Sequence, residues 1–309
     1  MYNDEIMVNL SVNIGKLKLR NPVLVASGTF GCAEEFEDLI DLSKLGAIVT
    51  KTVTLAPKPG NPMPRTIETP YGMLNSIGLA NQGIDDFIKH KITFLNKLKT
   101  AIIVSIAGEF QQELTRLTNI LDQQSCVSGI ELNISCPNIR GKTRLIAQDP
   151  KATYKAVKIV RKHTKKTLIT KLSPNVTEIT QIARAAQEAG SDALSLINTI
   201  YGMSVDLSKR KPHLAYGFGG LSGPAIKPIA LYMVYQVAKQ VELPVIGIGG
   251  IMNSKDALEF ILAGATAIAT GTVNYVNPKA SIEIIKGIRK YLIKHKIKDI
   301  RNLRGALRA

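Results

Sequence analysis

Short apolar runs alternate along the chain with longer segments in which apolar residues return every three or four positions. The short runs are VLVA from Val23, AIVT from Ala47, IIVSI from Ile102, GIELN from Gly129, TLITK from Thr167, ALSLI from Ala193, PVIGI from Pro244 and AIAT from Ala267. They are β-branched and continuous instead of alternating, as expected of strands covered on both faces. The longer segments include 84–99, 150–165, 176–189, 225–241, 253–263 and 279–294. In 176–189, Ile179, Ile182, Ala183 and Ala186 recur at helical spacing, and Gly190 and Gly264 stand as stop signals after two of the segments. Strand–helix alternation repeated eight times predicts an α/β fold, a closed (β/α)8 TIM barrel that takes residues 1–309 as one domain. An open doubly wound sheet is the structural alternative, but it usually has fewer strands.

Three departures from the alternation add detail. SVNIGKLKL, before the first run, reads as a hairpin that plugs the bottom of the barrel. Residues 55–81, rich in Pro, Gly and Asn, and the polar, glycine-rich residues 200–223 read as insertions at the opposite face. No low-complexity stretch divides the chain.

Composition changes this picture little. No run of about 18 apolar residues is present, so no membrane span is expected. The first residues, MYNDEIMVNL, lack a basic stretch followed by an apolar one, so no secretory signal is expected. Cys32, Cys126 and Cys136 are an odd number at unrelated spacings, with no metal-type pair and no disulfide framework, which suits a reducing cytoplasm. The formal charge of +16 raises the question of nucleic acid. Most of the cations are lysines spread along helical stretches, and the one dense run, 279–309, sets ten basic residues against Glu283 and Asp299. A solvated surface is the first reading, and no nucleic-acid partner is expected.

The chemistry of such barrels sits at the C-terminal ends of the strands. There the sequence places Ala26-Ser27-Gly28, Lys51-Thr52, Ser105, Asn133 with Cys136, Lys171, Asn198-Thr199, Gly249-Gly250 and Gly271-Thr272. All are polar, small or reactive. GIGG after the seventh strand and GT after the eighth leave backbone N–H groups free to cradle a phosphate, at the position where these barrels usually bind one. No GxGxxG follows a strand, which argues against a Rossmann dinucleotide site. Lys51 and Lys171 end apolar strands, a costly place for a cation without an anion or ligand. Asn75, Asn133 and Asn198 carry amides suited to the carbonyl and N–H edge of a flat heterocycle. Cys136, in a polar loop running to about Asp149, is placed to act as a base.

In this order, ASGTFG, TKTVT, NSIGLAN, ELNISCPN, TKLSP, GIGG and GTVN resemble the class 1 dihydroorotate dehydrogenases, over about residues 10–278. NISCPN and NSIGL are the specific motifs, and ASGTFG with the general spacing looks most like subfamily 1B. The resemblance implies an FMN enzyme of pyrimidine biosynthesis that oxidises dihydroorotate to orotate. Cys136 would be its base, taking a proton from the carbon next to a substrate carbonyl, while the neighbouring carbon gives hydride to the flavin. It implies substrate contacts at Lys51, Asn75, Ser76, Ile77, Gly78, Leu79, Asn133, Asn198 and Thr199. The implied FMN contacts are Ser27, Lys51, Thr52, Ser105, Asn133, Lys171, Ile197, Gly223, Gly249, Gly250, Gly271 and Thr272; no metal is implied.

Two departures from the family pattern stand out. Ser105 replaces an asparagine common at the end of the third strand, and NIRGKTRLIAQDP follows Cys136 where relatives have a glycine-rich stretch with an aromatic residue. The chain has no iron–sulfur cysteine spacing and no nicotinamide fingerprint. The 1B resemblance therefore implies a homodimer within a heterotetramer, whose second subunit carries FAD and a [2Fe–2S] cluster and passes electrons to NAD. A fumarate-dependent 1A enzyme, a dihydrouridine synthase acting on tRNA and a non-catalytic barrel are the alternatives.

Overall fold

The computed structural model describes residues 7–134 and 146–308. The chain enters through a hairpin, β1 (Val12–Ile14) and β2 (Leu17–Leu19), and then makes the first two barrel strands, β3 (Val23–Val25) and β4 (Ala47–Val49). An excursion follows as β5 (Thr66–Thr69) and β6 (Gly72–Asn75). The next helix is built from α1 (Gly83–Asp86), a π-helical turn (Phe87–Lys91) and α2 (Ile92–Leu95). Then come β7 (Ala101–Ile106), α3 (Gln111–Asp122), β8 (Val127–Asn133), α4 (Pro150–Lys162), β9 (Thr167–Lys171), α5 (Ile179–Glu188) and β10 (Ala193–Leu196). A second excursion forms β11 (Ile200–Gly202), β12 (Val205–Asp206), β13 (Lys211–Pro212) and β14 (Gly219–Ser222). The chain closes with α6 (Lys227–Ala238), β15 (Val245–Ile248), α7 (Ser254–Leu262), β16 (Ala267–Thr270), α8 (Val273–Val276) and α9 (Ala280–Lys294).

Strands β3, β4, β7, β8, β9, β10, β15 and β16 close into a parallel barrel in chain order, and each coincides with one of the eight apolar runs. Both faces of these strands are buried, one against the helices and one inside the barrel, which is why their sequences are continuous. The helices bury one stripe each. In α9 it is Ile284, Ile288 and Leu292, and sealing each such side chain contributes about 1.5–3 kcal/mol. Its opposite face exposes Lys286, Arg289, Lys290 and Lys294, so that part of the basic run is a solvated helix surface.

Helix starts follow from local chemistry. Asp149 caps α4 by accepting from the N–H groups of Lys151 and Ala152, with Pro150 in the first turn. Asn253 and Asp256 form a reciprocal box at the start of α7. The hairpin closes the barrel floor as expected: Val12, Ile14 and Leu19 are buried, and Gly15 lies so close to Asp192 and Thr167, at the lower ends of the strands, that a Cβ would sit 2.7 Å from the Asp192 Cβ. Among the described residues no helix is long and apolar enough to cross a membrane.

The alternation is less regular than eight repeats. Two short 3-10 turns, Glu34–Phe36 and Leu42–Lys44, replace the helix after β3, where Phe30 and Phe36 stack 3.8 Å apart. The two insertions are also one structure. Strands β11, β14, β6 and β5 form a single antiparallel sheet in that order, with Gly220 opposite Asn75.

Candidate active site

The C-terminal ends of the barrel strands surround one cavity, with an empty volume of ≈1180 Å³ open to solvent.

One arc of its wall is backbone. Gly249 and Gly250 end β15 with φ of 127° and 70°, and Gly223 reaches the same place from the second insertion with φ of 99°. A Cβ on Gly250 would lie 2.7 Å from the Lys227 Cβ and 2.8 Å from its backbone nitrogen. Lys227 cannot move aside easily, because its ammonium is held by Asp256 at 2.6 Å and Glu259 at 2.8 Å. Gly271 and Thr272 complete the arc beyond β16. Among the described residues, the backbone N–H groups of Gly223, Gly250, Gly271 and Thr272 donate to no protein acceptor. Free N–H groups on a concave wall fit the phosphate of a nucleotide cofactor. Among the described residues no lysine or arginine lines this arc, and the cradle is made by main chain.

The other arc is built of side chains. Lys51 and Thr52 follow β4, Asn133 and Lys171 end the neighbouring strands β8 and β9 in direct register, and Ile197, Asn198 and Thr199 follow β10. Lys171 is 6% exposed, and no carboxylate pairs with its ammonium among the described residues. A buried cation in that state is relieved by an anionic ligand. The Thr52 hydroxyl accepts from Asn133 Nδ2 at 3.3 Å and shares a 3.0 Å hydrogen bond with Ser105 Oγ. Ser27 lies across the mouth on the loop after β3.

Asn75 is delivered by β6, and Ile77, Gly78 and Leu79 follow it along the cavity wall. This turn needs the left-handed backbone at Gly78 and Leu79, with φ of 73° and 60°. Asn61 Nδ2 holds it from behind by donating to the Ser76 carbonyl at 2.9 Å. Asn75 Nδ2 donates to the Gly220 carbonyl at 3.4 Å, and the Asn198 side chain accepts from the Thr199 N–H at 2.8 Å.

The structure therefore brings together, on one cavity, nearly all the residues singled out from sequence. Two do not line it. Ser105 is fully buried one layer down and reaches the cavity only through Thr52. Ser76 is fully buried, and its hydroxyl has no partner among the described residues. Cys136 lies outside the described residues; of the residues flanking its segment, Ala147 donates its N–H to the Ile134 carbonyl at 3.3 Å.

Several residues at the site carried no family signal. Tyr275 lines the cavity and donates from its hydroxyl to the Gly28 carbonyl at 3.3 Å. Gly219 and Gly220, in GFGGLSG, back the wall at Asn75 and Thr199. Beneath the mouth, Glu131 is a carboxylate inside the barrel whose Oε2 accepts from Ser195 Oγ at 2.9 Å. A second cavity adjoins the first through Gly28, Thr29, Lys51 and Tyr275, and contains Cys32. Burial pushes the Cys32 thiol up from 9.0 to about 11, against the opposing pull of the Lys91 ammonium. Cys32 is thus a protonated, inert thiol at neutral pH.

The family profile of dihydroorotate dehydrogenases matches residues 9–292. A protein of Geotalea uraniireducens is 54% identical over 299 residues, covering 97% of this chain and 98% of its own length. One from Trichlorobacter lovleyi is 54% identical over 298 residues, with 96% and 98% covered. Another, from Desulforamulus reducens, is 51% identical over 299 residues, with 97% and 98% covered. All three are named dihydroorotate dehydrogenase B (NAD(+)), catalytic subunit.

Proposed function

The chain belongs to the dihydroorotate dehydrogenase family, and from that premise we propose that it is the FMN-bearing subunit that oxidises dihydroorotate to orotate in pyrimidine biosynthesis. The observation that carries this reading is a cavity with free backbone donors on one arc and lysines and amides on the other. Gly223, Gly249, Gly250, Gly271 and Thr272 would hold the FMN phosphate. Ser27, Thr52, Asn133, Lys171 and Ile197 would hold the ring system, with Lys171 placed to offset negative charge on it. Lys51, Asn133, Asn198, Thr199 and residues 75–79 would hold the substrate by its carboxylate and its amide edge.

Dihydroorotate loses one proton and one hydride. Cys136 takes the proton from the carbon next to a ring carbonyl, as its thiolate, and the adjacent carbon releases the hydride with its electron pair. FMN, when bound, supplies the two-electron acceptor for that hydride. The Asn75, Asn133 and Asn198 amides orient the ring so that both bonds break on a fixed geometry, which is the entropic part of the catalysis. Ser105, one layer below, orients the Thr52 hydroxyl and stays out of contact with the ring.

The relatives' names include NAD(+) and call those proteins catalytic subunits, which supports a second subunit that completes the reaction. We assign to that subunit the FAD and a [2Fe–2S] cluster, for which the three cysteines of this chain have no suitable spacing, in a heterotetramer built on a homodimer of this chain in the cytoplasm.

The test is anaerobic addition of dihydroorotate to the purified yellow protein, with flavin absorbance followed beside Cys136→Ala. Rapid bleaching in the wild type with severe slowing in the variant is expected. Flavin that stays oxidised in the wild type means a different substrate. The chain alone reducing NAD at full rate with dihydroorotate would overturn the two-subunit arrangement.

A further inference from the structure

Asn175 is half-buried in the loop between β9 and α5 and does not line the cavity, yet it binds the wall from behind. Its Nδ2 donates to the Thr199 carbonyl at 3.0 Å, and its Oδ1 accepts from the Tyr201 N–H at 3.0 Å. Its own N–H donates to Ser173 Oγ at 3.1 Å, which anchors it to the end of β9. Its carbonyl accepts from Gln148 Nε2 at 2.9 Å.

The orientation of this amide is fixed by chemistry. It faces one backbone carbonyl and one backbone N–H two residues apart, as a neighbouring strand would. Only a group that donates on one side and accepts on the other satisfies both. A carboxylate would set acceptor against acceptor at Thr199.

Thr199 is gripped from the other direction by β14. A Cβ on Gly220 would sit 1.9 Å from Thr199 Oγ1 and 2.5 Å from its Cβ. On the same strand, a Cβ on Gly219 would sit 2.5 Å from the Asn75 carbonyl. Two residues proposed to bind substrate therefore press on the bare backbone of one strand, and Asn175 holds the backbone of one of them against it.

We propose that Asn175 is a positioning residue for the substrate: its side-chain amide clamps the turn at Thr199 against Gly220 and so sets the Asn198–Thr199 edge of the cavity. The proposal rests on the dihydroorotate reading and adds to it a residue that touches neither substrate nor FMN. The competing role is a plain staple for the start of α5, which a control can separate. Glu178 caps α5 by accepting from the Thr180 N–H and hydroxyl, and has no part in the clamp.

The experiment uses the FMN-loaded protein. Orotate affinity is read from the perturbation of the flavin spectrum, and dihydroorotate KM and kcat from flavin reduction, for Asn175→Asp, Asn175→Ala and Glu178→Ala. Asn175→Asp keeps the acceptor for Tyr201 and loses the donor to Thr199. Orotate affinity is expected to fall about tenfold in Asn175→Asp, the weight of one lost hydrogen bond, and at least as far in Asn175→Ala, which loses both, with KM rising in step and FMN content unchanged. Glu178→Ala is expected to melt earlier and bind orotate like the wild type. Orotate affinity within about twofold of wild type in Asn175→Asp overturns the clamp. So does an equal loss of affinity in Glu178→Ala, which makes Asn175 a staple. If the Asp variant fails to fold, Asn175→Ala decides by the same measure. A wild type that keeps its flavin but ignores orotate brings down the dihydroorotate reading, and the clamp with it.

Discussion

The two arcs of the barrel mouth reach the same end by different means. Around β15, β16 and Gly223 the wall is main chain, marked by what is missing: side chains at Gly249 and Gly250 and, among the described residues, acceptors for four N–H groups. Around β4, β8, β9 and β10 the wall is side chain, on strands whose backbones are fully paired in the barrel. At Gly250 the first arc tolerates no added atom, because a Cβ there meets the backbone of a helix start that is itself fixed by two ion pairs. The second arc has a backbone indifferent to substitution and tips that are not. A phosphate needs many short donors around a small charge, which main chain supplies. A flat ring system needs long, distinct reaches, which main chain cannot supply.

The largest expected effect falls on the first arc. Gly250→Ala combines a left-handed backbone, about 1–2 kcal/mol for a residue with a Cβ, and overpacking of about 1–3 kcal/mol. FMN affinity should fall on the order of 100-fold, read as flavin content after purification and by fluorescence titration. A fully yellow Gly250→Ala protein would break the distinction between the arcs. Lys171→Met comes next. It preserves length and removes the charge, so flavin should be retained while its reduction by dihydroorotate slows about 10- to 100-fold, the weight of a hydrogen bond to a charged group. A Lys171→Met protein that loses its flavin as completely as Gly250→Ala would show that the phosphate end does not dominate binding. Ser105→Ala tests the layer below the side-chain arc. It leaves Thr52 with Asn133 as partner, so flavin reduction should change by no more than about tenfold, corresponding to at most about 1.5 kcal/mol; a larger loss would mean that Ser105 contacts the ring directly.

The smallest effect is expected at Cys32, near the seam where the loop after β3 joins the two arcs. Its thiol is raised from 9.0 to about 11 by burial. The raised value favours the protonated form in the fold. The linked stability is therefore fully present below pH 9 and is lost as pH climbs toward 11. Cys32→Ser should leave flavin content and turnover at pH 7 unchanged, and should make the fall of the thermal midpoint between pH 9 and 11 shallower. A change in turnover at pH 7 would place Cys32 in the chemistry.

All eight barrel strands and the plugging hairpin can be read from local pattern, because burial on both faces forces continuous apolar runs and nothing distant is needed to recognise them. Helix α3 carries a helical-period signal in Leu114, Leu117 and Leu121. The rim residues are legible for a related reason: polar groups immediately beyond an apolar strand have few explanations. Ser105 and Ser76 illustrate the limit. Each sits in a motif whose neighbours line the cavity, and a half-turn of strand direction puts them in the packed layer instead.

What the sequence determined alone was the number of strands, their order and which residues stand at their ends, since each depends on burial within a few positions along the chain. The tertiary structure decided that the two insertions are one sheet, that Gly220 lies against both Asn75 and Thr199, and that Asn175 holds the same wall from behind. Residues 75 and 220 are separated by 145 positions, and their pairing leaves no local periodicity. It arises only when barrel closure brings the ends of β4 and β10 to the same rim and their excursions, unpaired at the edge, find each other's backbone.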